Sequence, residues 1–324
     1  MNLLITGGLG YIGSHLCVEL LKTNVKIFVI DDLSNSTLKR KKNIEKISGK
    51  KIIFINSSLN DFKSILKILR FYQINLIFHL AGSKSVNESF VDPYKYYLNN
   101  SFSTMHLLKA MQESGVNKII FSSSATVYGV KNKNPIKENS SLEAINPYGT
   151  SKLISEKLII DQAKINKDFN YIILRYFNPI GYHTSQLLSD DNSRDNLVPN
   201  LINKLRVKKP LSVYGGDYNT KDGTAIRDYI HISDLISAHL LSLDYILKTK
   251  SEIFNVGIGK GHTVLDVIKS FQKILNKKIN FKLANKRKGD PEAIYCCTDK
   301  IKKKLKWMPA FNLLDMCKDS IKKK

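Results

Sequence analysis

Carboxylates are scarce in this chain: 28 acidic residues stand against 51 lysines and arginines, a formal net charge of +23 at neutral pH. Such an imbalance suits a polyanionic partner. The lysines are spread along the whole chain, however, and the densest runs are LKRKKN (38–43), KIKKKLK (300–306) and the terminal KKK. None carries the interleaved aromatics that stack on single-stranded nucleic acid. They read as solvated faces, with a basic nucleic-acid-binding protein as the alternative from another class. Long apolar runs are also missing, since none approaches the ~20 residues of a membrane span, and no membrane partner is expected. The four cysteines, Cys17, Cys296, Cys297 and Cys317, form no C-x-x-C pair. The seven histidines show no ligand spacing with them or with one another, so no metal is expected. Free thiols point to a reducing cytoplasm. The opening MNLLITGG reads as a first strand rather than a signal peptide, and adjacent Cys296 and Cys297 read as packing residues.

What is present is alternation. Short β-branched runs at 2–6, 25–31, 51–56, 75–82, 117–124 and 171–177 alternate with helical patterns at 11–23, 62–72, 94–114 and 148–164. Strands that are apolar on both faces, separated by helices, predict a parallel sheet covered on each side. After residue 178 the loops lengthen and the pattern turns irregular. The expected fold is α/β: a doubly wound parallel sheet over 1–177, then a smaller C-terminal lobe over 178–324 with some segments returning to the first domain. A site between the two is the expectation, because long loops in compact enzymes carry binding residues.

Three motifs carry chemistry. TGGLGYIGSH (6–15) spaces Gly7, Gly10 and Gly13 as G-x-x-G-x-x-G between a strand and a helix. That context suits a pyrophosphate lying against bare backbone and a helix N-terminus. Ser14 stands where a P-loop needs lysine. About twenty residues on, the second strand ends in Asp31, a carboxylate placed to accept from ribose hydroxyls, with Asp32 adding charge against a 2′-phosphate. The cofactor expected is therefore NAD, although Lys39 and Arg40 lie near.

The third motif is divided. FSSSATVYG (121–129) closes a strand and NPYGTSK (146–152) opens the next helix, which sets Ser124 beside Tyr148 and Lys152. Positions i and i+4 share a helix face, so phenol and ammonium can meet. Tyrosine, with an ordinary pKa of about 10, becomes a useful base only where nearby positive charge favours the phenolate. Ser124 can orient or relay the proton.

With these residues the chain resembles the UDP-hexose 4-epimerases of the extended short-chain dehydrogenase/reductase family. The resemblance runs from Met1 to about Trp307 through AGSKSVNES (81–89), LRYFNPIG (174–181), DGTAIRDYIHISDL (222–235) and KRKGDP (286–291). It implies a Rossmann-type sheet with a substrate-binding α/β lobe, and NAD-dependent, reversible epimerisation at C4 of UDP-glucose and UDP-galactose through a 4-keto sugar. It further implies a cofactor set of Gly7, Gly10, Tyr11, Ile12, Gly13, Asp31, Asp32, Asn35, Ser36, Ser58, Leu59, Leu80, Ala81, Gly82, Lys84, Asn99, Ser122, Tyr148, Lys152 and Phe177. For the UDP-sugar it implies Ser124 and Tyr148 at the hexose and Asn178, Asn196 and Leu197 at the diphosphate. Arg227 and Arg287 would be phosphate clamps, Asp290 would meet the uridine ribose, and Val213 and Tyr214 would lie beside uracil. A homodimer through the helices from Tyr94 and Tyr148 is also implied.

The pattern departs in places. Ser58 stands where an aspartate usually meets adenine. Ile294 stands at a position whose bulk limits the sugar pocket, which allows the N-acetylated UDP-hexoses. The chain stops in lysines soon after Trp307, short of the family's usual tail. A dehydratase on this scaffold would need an Asp-Glu pair just after Ser124, and Ala125-Thr126 supply no carboxylate. A UDP-glucuronate 4-epimerase is the nearest enzymatic alternative.

Overall fold

The computed structural model describes residues 1–189, 195–248, 251–287 and 289–321. Part of the loop after Gly181, Lys288 of the KRKGDP motif and the terminal Lys322–Lys324 lie outside them. The chain divides into two compact units. The first takes Met1–Val127, Asn146–Arg175 and Ile236–Phe254, the second Tyr128–Ile145, Tyr176–Leu235 and Asn255–Lys324.

The strands in chain order are β1 (Asn2–Thr6), β2 (Lys26–Asp31), β3 (Ile53–Asn56), β4 (Leu76–His79), β5 (Lys118–Ser124), β6 (Asn170–Tyr176), β7 (Asn178–Ile180), β8 (Leu211–Tyr214), β9 (Ile226–His231), β10 (Glu252–Val256), β11 (Gly261–Thr263), β12 (Phe281–Ala284) and β13 (Ala293–Ile294). The helices are α1 (Tyr11–Leu21), α2 (Leu38–Ser48), α3 (Phe62–Phe71), α4 (Val86–Val91), α5 (Pro93–Tyr96), α6 (Ser103–Ser114), α7 (Pro147–Ile165), α8 (Leu197–Arg206), α9 (Ile232–Ile246), α10 (Val264–Leu275), α11 (Asp299–Leu305) and α12 (Leu313–Asp319).

One sheet has the order β10-β6-β5-β4-β1-β2-β3. Its central pairs are parallel, with Leu3 beside Ile27 on one side and Leu76 on the other. Burial of β4 throughout and of β1 after its first residue is what two helix-covered faces require. Strand order reverses between β1 and β4, and ligands in open α/β sheets bind outside the carboxyl ends of strands at such a switch point. The first unit's core joins Leu4, Phe28, Ile77, Phe121 and Ile173 from the sheet to Ile65, Leu107 and Ile159 from α3, α6 and α7.

The stretch 94–114 is not one helix. Between α5 and α6 lies a π-helical segment, Tyr97–Phe102. Such wide turns recur at functional sites. This one directs Asn100 inward, where it is nearly fully buried.

The second unit builds its own core. In it β9 pairs with β7 and β13 in parallel and with β11 antiparallel, and β8 pairs with β12. Val213, Tyr229, Leu201, Phe271 and Met316 are central to its apolar cluster.

Candidate active site

In the first unit, the Gly7 N–H donates to the Ile30 carbonyl at 2.8 Å and the Gly10 N–H to the Gly7 carbonyl at 3.0 Å. Gly7 has φ +66° and lies so near Ala81 that a Cβ would come within 2.8 Å of its backbone. A Cβ on Gly13 would fall 2.4 Å from the Gly7 carbonyl. The loop thus needs glycine to bring the strand, the helix and the Leu80–Gly82 turn together. Helix α1 has Gly10 as its N-cap, so it has no side-chain cap, and it has no acid in its first turn. Its first N–H groups, which have no intrahelical acceptor, therefore suit an anion.

Asp31 closes β2 and is buried. Its Oδ2 accepts from the Leu9 N–H at 3.0 Å, and its Oδ1 from the Leu33 N–H at 3.0 Å and the Ser36 hydroxyl at 2.7 Å. Exposed Asp32 accepts from Ser34, and Asn35 beside it is exposed. Leu33 itself has φ +60°, a costly conformation for a bulky residue and a usual companion of functional turns.

Thr6 accepts from the Leu80 and Ala81 N–H groups at 3.2 and 3.3 Å, and its hydroxyl meets His79 Nδ1 at 2.8 Å. Asn100 accepts from the Ser83 N–H at 2.7 Å and donates to Ser151 Oγ at 2.8 Å, while Asn99 reaches Ser83 Oγ at 3.3 Å. Lys84 lies 6.0 Å above the Tyr11 ring, and Ile12 is half-buried. Ser58 is half-buried and accepts from the Asn60 N–H, whereas the Leu59 side chain belongs to the core. First-turn amides without an acid beside them, a ribose-competent carboxylate and an exposed lysine are a set that fits a dinucleotide.

The Ser/Tyr/Lys group is set by the start of α7. Asn146 precedes proline and is extended, at φ −140° and ψ 155°, as a pre-proline residue prefers. That is also the conformation of an N-cap, and its side chain accepts from the Gly149 N–H at 2.8 Å. Pro147 fills the first helical position, so Tyr148 falls in the first turn and Lys152 one turn on.

Ser124, at the end of β5, is the side chain that draws the Tyr148 phenol pKa down. Ser124 Oγ accepts from the Thr126 N–H at 3.2 Å and from its hydroxyl at 3.0 Å. A hydroxyl has two acceptor sites and one donor, so the Ser124 proton is left to donate to the phenol oxygen. Burial raises the Tyr148 pKa, and the Ser124 bond acts the other way. Lys152 is buried, donates to the Ser122 carbonyl at 2.9 Å and lies 4.9 Å from the Phe121 ring centre. Burial pushes its ammonium down to about 8 against the opposing pull of Glu156. The group that lowers the phenol is thus Ser124, while the Lys152 ammonium is engaged with a strand carbonyl. Thr126 and Asn100, which hydrogen-bond around this group, are side chains that the sequence did not single out.

In the second unit, Arg227 on β9 pairs with Asp290 and donates to the Ile226 carbonyl at 2.7 Å. Arg287 lies 4.0 Å over the Tyr214 ring. Asn178 starts β7 and donates to the Asp228 carbonyl at 2.9 Å. Ile294 is level with Arg227 across the β9–β13 pair and is buried. Exposed Asn196 precedes α8, and Leu197 packs against the apolar cluster. Val213 and Phe177 are buried, the former within that cluster, so Tyr214 is the exposed residue at the end of β8. This unit therefore joins two guanidiniums, a carboxylate and an aromatic face in the loops around β8, β9 and β13. Among the described residues no His, Cys, Asp and Glu group suits a metal ion, and no helix is long and apolar enough to cross a membrane.

A family model described as GDP-mannose 4,6 dehydratase matches residues 4–320. UDP-glucose 4-epimerase of Bacillus subtilis is 41% identical over 99% of this chain and 96% of its own. A crystal structure of the Stenotrophomonas maltophila UDP-glucose 4-epimerase, with bound NAD and formylated UDP-arabinopyranose, superposes with a TM-score of 0.95 at 37% identity, over 99% of this chain and 96% of that one. The UDP-Glc/GlcNAc 4-epimerase of Campylobacter jejuni does so with a TM-score of 0.87 at 37% identity, over 98% and 97%.

Proposed function

The chain belongs to the UDP-glucose 4-epimerases of the extended short-chain dehydrogenase/reductase family, and we propose that its reaction uses a redox centre and a separate grip on the nucleotide. It is an NAD-dependent isomerase that interconverts UDP-glucose and UDP-galactose at C4. The glycine loop, Asp31, Ser36, Lys84 and Asn99 would hold NAD, which would supply a reversible hydride acceptor when bound. Tyr148 takes the proton of the 4-hydroxyl and gives it back after the keto sugar has turned. Ser124 donates to the phenolate oxygen and lowers the cost of that proton transfer. Lys152 holds positive charge behind the phenol. Arg227, Arg287, Asn178 and Asp290 hold the uridine diphosphate, so the sugar can rotate without leaving. The Arg227–Asp290 pair keeps the guanidinium oriented before substrate arrives.

The observation that carries this reading is Tyr148 in the first turn of α7, one turn before buried Lys152 on the Ser122 carbonyl, with Ala125-Thr126 in place of dehydratase carboxylates. The family model is described by a dehydratase, yet the chemistry needed to expel a 6-hydroxyl has no acid at that position. Ile294, smaller than tyrosine, supports action on the UDP-N-acetylhexoses as well. Exposed Val91, Tyr94, Leu98 and Phe102 on α4, α5 and the π-helical segment support a homodimer. The free cysteines support the cytoplasm as its compartment.

Proton NMR of the purified protein with UDP-galactose, UDP-N-acetylgalactosamine and UDP-glucuronate in turn tests the reading. Conversion of the first two, with UDP-glucuronate unchanged, is expected. Turnover of UDP-glucuronate alone, or of none, would sink it.

A further inference from the structure

Three consecutive serines at the end of β5 each meet a different residue on one face of α7. Ser124 draws the Tyr148 phenol pKa down, the Ser122 carbonyl accepts from Lys152 at 2.9 Å, and Ser123 Oγ donates to Glu156 Oε1 at 2.5 Å. The spacing from Tyr148 to Lys152 to Glu156 is four and four, which keeps all three on one side of the helix. The first two contacts belong to the reaction centre, and the third has no role in it so far.

Glu156 is 1% exposed and Arg175, near the end of β6, 2%. Arg175 Nε donates to Glu156 Oε1 at 2.9 Å and Nη2 to Oε2 at 2.6 Å, a two-pronged grip that fixes the plane of the carboxylate. Stability alone does not account for such a pair, because apolar residues of similar volume commonly do as well or better. Its charge has to be explained by what lies beside it.

The groups facing Lys152 are otherwise neutral or repelling. From β5 they are the Phe121 ring and the Ser122 carbonyl; Gly82, where a Cβ would lie 3.5 Å from the ammonium, adds none. From β4, His79 is kept neutral, its pKa driven down to about 3 by burial and then by the Lys152 charge. Tyr148 shares the helix face, and Arg175 on β6 is cationic. Burial works against the ammonium, and the opposing charge comes from Glu156.

We propose that Glu156 is a positioning residue of the reaction: held by Arg175 and Ser123, it fixes α7 to the end of β5 and supplies the negative charge that keeps Lys152 protonated. This rests on the assignment of Tyr148 and Lys152 made above.

The test follows Lys152 itself, in full-length protein with 13C at the lysine ε-carbon, its signal assigned by Lys152→Met. In Glu156→Gln the Lys152 titration midpoint is expected to fall by about one pH unit, and in Glu156→Asp to stay near the parent value. The alkaline limb of kcat moves to lower pH in the Gln variant and is restored in the Asp variant, with KM for UDP-galactose within about twofold. Glu156→Gln strands the Arg175 cation, so Glu156→Gln/Arg175→Met, which removes both charges, is read if the single variant does not fold, and a smaller shift in the same direction is expected, because the repelling guanidinium is lost as well. An unchanged Lys152 midpoint overturns the proposal. So does an equal loss of rate at every pH in the Gln and Asp variants, or failure of both Gln variants to fold, since each means a merely structural role. Failure of the underlying assignment looks different: Lys152→Met would then turn over UDP-galactose at the parent rate.

Discussion

Tyr148 shows how little a residue's type says about its chemistry. Its phenol is pushed up by burial and pulled down by Ser124, whose own lone pairs are filled by Thr126. Removing the hydroxyl should therefore cost a full general-base contribution: Tyr148→Phe is expected to lower kcat for UDP-galactose by at least ~100-fold, with KM little changed, in a steady-state assay. Near-normal turnover would mean that another group moves the proton. Ser124, Tyr148 and Lys152 were legible because their motif sits after the fifth strand and before a helix. Glu156 was not, since a glutamate four residues from a lysine on a helix reads as a surface pair. Only the packing of α7 on β5 and β6 buries it. Arg227 and Asp290 lie 63 residues apart, and no local pattern announces their pairing.

At the scale of the element, α7 is started by Asn146 and Pro147 so that the first turn carries the phenol. Asn146→Ala should cost about 1 kcal/mol of stability in urea unfolding, the usual worth of an N-cap. It should also lower kcat several-fold, because the frayed turn contains Tyr148. Asn146→Asp should keep the cap and most of the rate; loss of rate in Asp equal to that in Ala would separate the cap from the effect. The π-helical segment Tyr97–Phe102 was invisible in the sequence, since one wider turn scarcely disturbs apolar periodicity over twenty residues. Its effect is local and chemical: Asn100 turns inward to tie Ser83 to Ser151.

For the molecule as a whole, two buried histidines set the acid side of stability. His231, in the second unit, stacks on Phe311 with ring centres 3.9 Å apart, and burial drives its pKa from 6.5 to about 4. His79, in the first, falls to about 3. Between those values and 6.5 the unfolded chain binds protons that the folded one refuses, so stability is complete above pH 6.5 and is lost as pH falls. For His231 the loss is on the order of 3 kcal/mol. Asp228, raised to about 6 by burial, acts oppositely over part of this range, because its folded carboxyl takes a proton earlier. The thermal midpoint should drop between pH 6.5 and 4, and His231→Gln should flatten that drop; an unaltered slope would locate the acid lability elsewhere. On the first unit's surface, Val91 and Tyr94 are 86% and 84% exposed, with Leu98 and Phe102 nearby in sequence. Sedimentation is expected to find a dimer that Leu98→Glu converts to monomer, and a monomeric parent protein would remove the proposed interface.

The sequence by itself determined the parallel sheet, the glycine turn, the Asp31 carboxylate and the Ser124, Tyr148 and Lys152 set. Each follows from local rules: strand and helix period, backbone room at glycine, the pre-proline cap, and i to i+4 spacing. Tertiary structure decided what those rules cannot reach. It chose Ser122 rather than the phenol as partner of the Lys152 ammonium, buried Glu156 against Arg175 and Ser123, and joined Arg227 to Asp290. The reason is burial: once water is excluded every charge needs a partner, and the partner is set by which strands and helices pack together, not by neighbours along the chain.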